Sequence, residues 1–166
     1  AEVEWVLDSM DKWCVVARKF YDEHNDWTPY PVITILSPWN FPLALAMMDT
    51  LPALLSGAAV MVKPSEVTPR HVMVLKETIE LVPGLQDVLC INPGTAETGA
   101  LMADKANLIC FTGSKASARK VLQAASKKMI PVLFDVGAKD PAVVLSSANL
   151  EMAASAIVKG STTNAG

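Results

Sequence analysis

The residues of this chain that could do chemistry stand in short polar segments, each directly after an apolar run. Asn40 follows the first run between two prolines, which stiffen the turn and leave an amide that could point into a crevice. Lys63 and Glu66 follow the second run and place a cation beside a carboxylate. Gly113 and Ser114 follow the fourth run at the start of a helical pattern, where backbone N–H groups and the helix dipole suit a phosphate group. Each signal is also typical of an ordinary loop or helix cap, so none of them decides the function alone.

Two further segments combine glycine with polar side chains. Gly94 and Gly99 lie where a helical pattern opens after the third run, and they permit close approach of a backbone. Their surroundings lack the GxGxxG spacing of ordinary dinucleotide-binding Rossmann domains, which disfavours that class of dehydrogenase. Asp135 and Gly137 follow the fifth run and place a carboxylate beside a glycine.

An alternation of strand and helix patterns must position these segments. The predicted strands are Val32–Leu36, Ala58–Val62, Val88–Ile91, Leu108–Phe111, Pro131–Phe134 and Ala142–Leu145. The predicted helices are Val3–Tyr21, Pro42–Ser56, Pro69–Leu81, Ala96–Ala103, Lys115–Ser126 and a last one that starts at Leu150 behind Asn149 as its cap. Because each right-handed crossover between parallel strands needs its own helix, the pattern predicts an α/β fold: a doubly wound, Rossmann-like, mainly parallel sheet with helices on both faces. Such a sheet binds its ligand at the carboxyl ends of its strands.

Composition narrows the possible partners. A chain of 166 residues with 51% hydrophobic and 19% charged residues is typical of one globular domain. A net charge of −3 without a Lys/Arg cluster disfavours nucleic acid and anionic membranes as partners. No apolar run is long enough to cross a bilayer and the first residues lack the basic start of a signal peptide, which favours a cytoplasmic location. Cys14, Cys90 and Cys110 show no CxxC spacing, so we expect buried thiols and no metal site.

Taken together and in this order, the motifs closely resemble those of the aldehyde dehydrogenase superfamily. The resemblance extends from about Pro31 to Gly166 and rests on Pro38–Pro42, Lys63–Glu66, Phe111–Ser114 and Gly160–Gly166. It implies an N-terminal helix and connector over residues 1–30, followed over residues 31–166 by an NAD(P)-binding domain. It also implies that the catalytic domain is absent and that the chain is a fragment.

The resemblance assigns roles to individual residues. Asn40 would help to form the oxyanion hole, and Asp135 stands where the family has its general base. Lys63 and Glu66 would hold the adenosine ribose, and Gly113 with Ser114 would meet the pyrophosphate. The full set of cofactor-binding residues that it implies is Leu36, Ser37, Trp39, Lys63, Ser65, Glu66, Gly94, Phe111, Gly113, Ser114 and Gly137.

The activity implied is oxidation of an aldehyde to a carboxylic acid through a cysteine thioester, with NAD or NADP as cofactor and a homo-oligomer as the parent protein. Asp135 departs from the family, which has a glutamate there, and Ala118 stands where a second glycine is common. The nucleophilic cysteine would come just after Gly166, so we expect the chain alone to be inactive. A non-catalytic nucleotide-binding or interaction module, or a semialdehyde or acyl-phosphate reductase, are the alternative interpretations.

Overall fold

The computed structural model describes residues 1–24, 26–137 and 139–163, and a five-stranded parallel sheet lies at its centre. The strand order is β3-β2-β1-β4-β5, and every pair of neighbours is parallel. The strands are β1 (Val32–Leu36), β2 (Ala59–Lys63), β3 (Leu89–Ile91), β4 (Leu108–Gly113) and β5 (Val132–Val136). Five of the predicted strands are therefore confirmed, with ends that differ by at most two residues.

The helices are α1 (Glu2–Glu23), α2 (Ala44–Leu55), α3 (His71–Glu80), α4 (Leu85–Val88), α5 (Ala96–Lys105), α6 (Lys115–Ser126) and α7 (Leu150–Thr162). Asn149 caps α7 as predicted, because its side chain accepts a hydrogen bond from the Met152 N–H at 3.1 Å. The four-residue helix α4 was not predicted; it is too short to show a helical period. Among the described helices, none is both long and apolar enough to cross a membrane.

The prediction of a strand at Ala142–Leu145 is wrong. The segment has no regular structure, and Val143 and Leu145 are 83% and 67% exposed. A strand is stable only when a neighbour satisfies its backbone hydrogen bonds. Within the part of the chain that the structure describes, no neighbouring strand pairs with this segment, so its apolar composition alone does not make it a strand.

Side chains that alternate along the strands build one core on each face of the sheet. Ile33 and Ile35 of β1 point to the face covered by α2 and α3, which we call the α2 face. Leu36, Ile109 and Phe111 belong to the core under α5 and α6, on what we call the α5 face. Burial of one such side chain stabilises the fold by roughly 1.5–3 kcal/mol, more than the 0–1 kcal/mol typical of a surface ion pair. The two cores therefore hold the doubly wound fold together, with helices on both faces as predicted.

The prediction of buried thiols is correct for Cys110 and wrong for Cys14 and Cys90, which are exposed. Cys14 lies on α1, where only Val6 is buried, so most of the apolar stripe of this helix faces solvent. Cys90 lies on the edge strand β3 between two residues that point to the α2 face. Its own side chain therefore points to the other face, where this edge of the sheet is uncovered.

A carboxylate from the start of the chain caps α2. Glu2 Oε2 accepts hydrogen bonds from the Leu43 N–H at 3.0 Å and from the Ala44 N–H at 2.8 Å. The first N–H groups of a helix have no partner within the helix, and the helix dipole favours a negative charge there. Glu2 thus fixes the N-terminus of α2 from 41 residues away in the sequence.

We expect Glu2→Ala to lower the free energy of unfolding by about 1 kcal/mol, because it removes both the cap and the charge at the helix N-terminus. Urea denaturation measures this loss. Glu4→Ala is the matched control, since Glu4 is 87% exposed and pairs only with the terminal amine. An equal loss in both variants would contradict the capping role.

Candidate functional site

A cleft of about 550 Å³ lies on the α5 face, at the carboxyl ends of β1, β2 and β4. Nine of the eleven predicted cofactor-binding residues line it: Leu36, Ser37, Trp39, Lys63, Ser65, Glu66, Phe111, Gly113 and Ser114. The remaining walls come from α5 and α6. Three segments that are distant in the sequence thus meet at one place, which is where a doubly wound sheet is expected to bind a ligand.

An ion pair between the buried Lys63 and the exposed Glu66 stands at the β2 side of the cleft. Lys63 is only 7% exposed, and its Nζ donates hydrogen bonds to the Pro64 carbonyl at 2.8 Å and to Glu66 Oε2 at 2.9 Å. The hydrogen bond from Lys63 holds the pKa of Glu66 below its usual value. These two bonds use two of the three donors of the ammonium group, so the pair can still donate to, and accept from, hydroxyl groups of a ligand.

The N-terminus of α6 opens onto the same cleft. Ser114 caps this helix, because its Oγ accepts a hydrogen bond from the Ser117 N–H at 3.1 Å. The positive end of the helix dipole and the nearby Lys120 both favour a negative charge. A helix N-terminus beside a lysine is suited to a phosphate group.

The side chain of Ser37 is buried beside the ion pair without a protein partner. Ser37 is 8% exposed and lines the cleft, and its Oγ has no hydrogen-bond partner among the described residues. Its backbone N–H donates to the Lys63 carbonyl at 3.2 Å, which fixes its position at the end of β1. An unpaired buried hydroxyl costs about 1–3 kcal/mol. A polar ligand in the cleft would remove that cost.

Local packing explains the glycines of the predicted site. A Cβ atom at Gly113 would lie 3.0 Å from Cζ of the Phe111 ring, so this glycine lets the ring lie against the backbone. A Cβ atom at Gly94 would lie 2.2 Å from Thr98 Oγ1, closer than atoms approach. Gly94 and the left-handed Gly137 (φ +49°) do not line the cleft, so their roles in cofactor binding remain predictions.

The two predicted catalytic residues do not line the cleft either. Asn40 is exposed in the segment that leads from β1 to α2. Asp135 lies near the end of β5, opposite Thr112 of β4 in the strand register. Its charge reaches Asp49 on α2, and burial together with Asp135 raises the pKa of Asp49. Asp135 and the cleft therefore lie on opposite faces of the sheet.

Among the described residues, no cysteine lines the cleft and no group of three or more His, Cys, Asp or Glu could hold a metal ion. Cys110 lines a separate groove of about 450 Å³ between the sheet, α1 and α2. Burial and the nearby Asp49 raise the pKa of the Cys110 thiol to about 12. At neutral pH this thiol is protonated, and a protonated thiol is a poor nucleophile.

Sequence reasoning missed several residues that line the cleft. Ser117 and Lys120 belong to it and lie three and six residues after Ser114, on the same side of α6. The helical period after a candidate phosphate-binding serine is therefore a signal that could have found them. No such signal pointed to Asp49, because its electrostatic interaction with Asp135 depends on the tertiary fold.

The sequence model of the aldehyde dehydrogenase family matches residues 6–166. This chain belongs to the aldehyde dehydrogenase family. Beta-apo-4'-carotenal oxygenase from Neurospora crassa is 36% identical to it over 138 residues, which are 83% of this chain and 26% of that protein. The chain therefore spans about a quarter of the length of this curated relative.

Solved structures show the same aldehyde dehydrogenase fold. PutA of Anabaena variabilis, assigned provisionally as an aldehyde dehydrogenase, is 44% identical, with a TM-score of 0.91 over 98% of this chain and 37% of its own. Betaine aldehyde dehydrogenase from Staphylococcus aureus, solved as a double mutant in complex with NAD+, is 27% identical, with a TM-score of 0.74 over 80% of this chain and 27% of its own. The resemblance predicted from the motifs is confirmed, and the family match also includes most of α1.

We expect Asp49→Asn to make this aldehyde dehydrogenase chain more stable at pH 7. A carboxyl whose pKa is raised by folding contributes stability that is complete below its ordinary value of 3.8 and is lost as the pH rises through the raised value. At neutral pH the charged Asp49 therefore costs stability, and the amide removes that cost. Urea denaturation at pH 7 and at pH 3.5 should show a gain that shrinks in acid.

The exposed Asp140 provides the control, since Asp140→Asn should change stability little at either pH. An Asp49→Asn variant that is no more stable than the parent at pH 7 would show that the charge of Asp49 is already compensated.

Proposed function

We propose that these residues bind NAD as the cofactor-binding part of an aldehyde-oxidising enzyme. The observation that carries the proposal is the buried Ser37 hydroxyl. It has no hydrogen-bond partner among the described residues and lies in one cleft with the Lys63–Glu66 pair and the start of α6. These groups match what a dinucleotide presents, because its ribose hydroxyls both donate and accept hydrogen bonds and its pyrophosphate is anionic.

In this proposal the ion pair, the start of α6 and the aromatic side chains of the cleft have separate tasks. Glu66 accepts hydrogen bonds from the ribose hydroxyls and Lys63 donates to them. The first turn of α6, with Ser114, receives the pyrophosphate. Trp39 and Phe111 provide apolar walls. Bound NAD would supply the acceptor for the hydride that leaves the aldehyde.

Asn40 and Asp135 are proposed to act on the substrate across the edge of the sheet. The Asn40 side-chain amide would donate to the oxygen that becomes negatively charged when the aldehyde is attacked. Asp135 would accept a proton from the water that releases the acid. Its side chain is one methylene group shorter than the family's glutamate, and a displacement of about 1 Å at a reacting group can cost about a hundredfold in rate. A water molecule between Asp135 and the reacting atoms would compensate.

Ser37→Ala tests the proposal directly. We expect about a five- to tenfold weaker affinity for NAD, the effect of one lost hydrogen bond, together with unchanged or slightly higher stability, because the unpaired hydroxyl is gone. Calorimetric titration and urea denaturation measure the two effects. Ser126→Ala is the control, since Ser126 is exposed and lies outside the cleft. Affinity that is equal in both variants would refute the Ser37 contact, and a parent chain that binds no NAD would refute the proposal.

Cofactor choice should depend on Glu66. A 2′-phosphate carries a charge of about −2 and would lie close to this carboxylate if Glu66 holds the ribose. Like charges repel, and Lys63 offsets part of the repulsion, so we expect about tenfold tighter binding of NAD than of NADP. Glu66→Gln should narrow that ratio. An unchanged ratio in a titration with both dinucleotides would rule out the ribose contact.

The protonated state of Cys110 favours a second candidate function for these residues, binding of a nucleotide without catalysis. Capture of an aldehyde by this family's chemistry needs a thiolate, whereas Cys110 is buried, has a pKa of about 12 and lies outside the cleft. We expect the 166-residue chain to bind NAD and to form no NADH with aldehydes. Absorbance at 340 nm follows NADH. Turnover that Asn40→Ala abolishes would instead contradict this second function.

A further inference from the structure

Gly99 lies on α5 directly against the side chain of Lys63. A Cβ atom at this position would lie 3.2 Å from Lys63 Cδ, 3.8 Å from Lys63 Cε and 3.6 Å from Leu36 Cδ2. Two carbon atoms attract best at about 3.5–4.0 Å, so only the Lys63 Cδ contact would be too short. Any side chain at position 99 would therefore push on the stem of this lysine.

Neither partner in this contact can easily move away. Thr34 Oγ1, fully buried on β1, donates a hydrogen bond to the Met102 carbonyl at 3.2 Å and holds α5 against the sheet. The ammonium group of Lys63 is held by Pro64 and Glu66. The lysine stem thus runs past an anchored helix to an ammonium group that two hydrogen bonds hold in place.

We propose that Gly99 is a positioning residue, whose missing side chain sets the path of the Lys63 stem and so the geometry of the Lys63–Glu66 pair. The link to ligand binding rests on the proposed function, in which this pair holds the ribose of NAD. In this proposal Gly99 acts only through Lys63, by leaving room for the lysine stem, and not through a side-chain interaction with the ligand.

The competing explanation is that Gly99, which also lines the cleft, only leaves space for the ligand itself. Both explanations expect Gly99→Ala to weaken NAD binding, but they differ when the lysine stem is absent. In a Lys63→Ala background, an added Cβ at position 99 has no stem to push, whereas a direct clash with the ligand would remain. A double-mutant cycle separates the two explanations.

The binding experiment titrates NAD into the parent chain, Gly99→Ala, Lys63→Ala and the double variant by calorimetry. We expect Gly99→Ala to weaken binding about fivefold in the parent and less than about twofold in the Lys63→Ala background. Gly160→Ala is the matched control, because it also replaces a helical glycine but its Cβ would meet no atom within 4 Å. An equal loss in both backgrounds, or no loss from Gly99→Ala alone, overturns the proposal.

A measurement without ligand keeps this inference separate from the proposed function. The titration of the Glu66 carboxyl, followed by 13C NMR, reports its hydrogen bond with Lys63, which lowers the pKa of Glu66. We expect Gly99→Ala to raise the Glu66 midpoint and Gly160→Ala to leave it unchanged. A Glu66 midpoint that Gly99→Ala does not move overturns the positioning role. A chain that binds no NAD but shows the Glu66 shift refutes the proposed function alone.

Discussion

The pairing of β1 with β4 is the interaction on which the site depends. These strands are joined in register from Ile33 opposite Leu108 to Leu36 opposite Phe111, although more than 70 residues separate them in the sequence. The chain leaves β1 toward α2 on one face and leaves β4 toward α6 on the other. A crevice opens where the two connections diverge, and the cleft residues that follow β1 and β4 meet there.

The two faces of the sheet differ in charge at this edge. On the α5 face, Lys63, Lys120 and the N-terminus of α6 favour an anion, and the carboxylate of Glu66 is paired. On the α2 face, Asp49 and Asp135 repel each other, which is one cause of the raised pKa of Asp49. In the proposed function, this difference in charge favours the α5 face as the side that receives the phosphates.

The sequence patterns were sufficient for the sheet, because hydrophobic period is a local signal, and the family resemblance supplied nine of the residues that line the cleft. Hydrophobic period identifies β1 to β5, and the polar residues that follow parallel strands must meet at one edge. Patterns were not sufficient where a property depends on a distant neighbour. Among the described residues, Ala142–Leu145 has the composition of a strand but pairs with none, and most of the apolar stripe that carries Cys14 is uncovered. The cap that Glu2 gives to α2, and the lack of a partner for Ser37 Oγ, exist only in three dimensions.

The position of β1 at the middle of the sheet has a consequence during synthesis on the ribosome. β1, β2 and β3 can pair as soon as Ile91 has emerged, but the other edge of β1 stays open until Leu108–Phe111 follow. At about 5–20 residues per second this delay lasts on the order of seconds. During this delay one edge of the segment Val32–Leu36 is unpaired in the nascent chain. The segment is uncharged and rich in apolar and β-branched residues, a composition that pairs readily with strands of other chains. Nascent chains of this fold therefore present an open edge of β1 in the interval before β4 arrives.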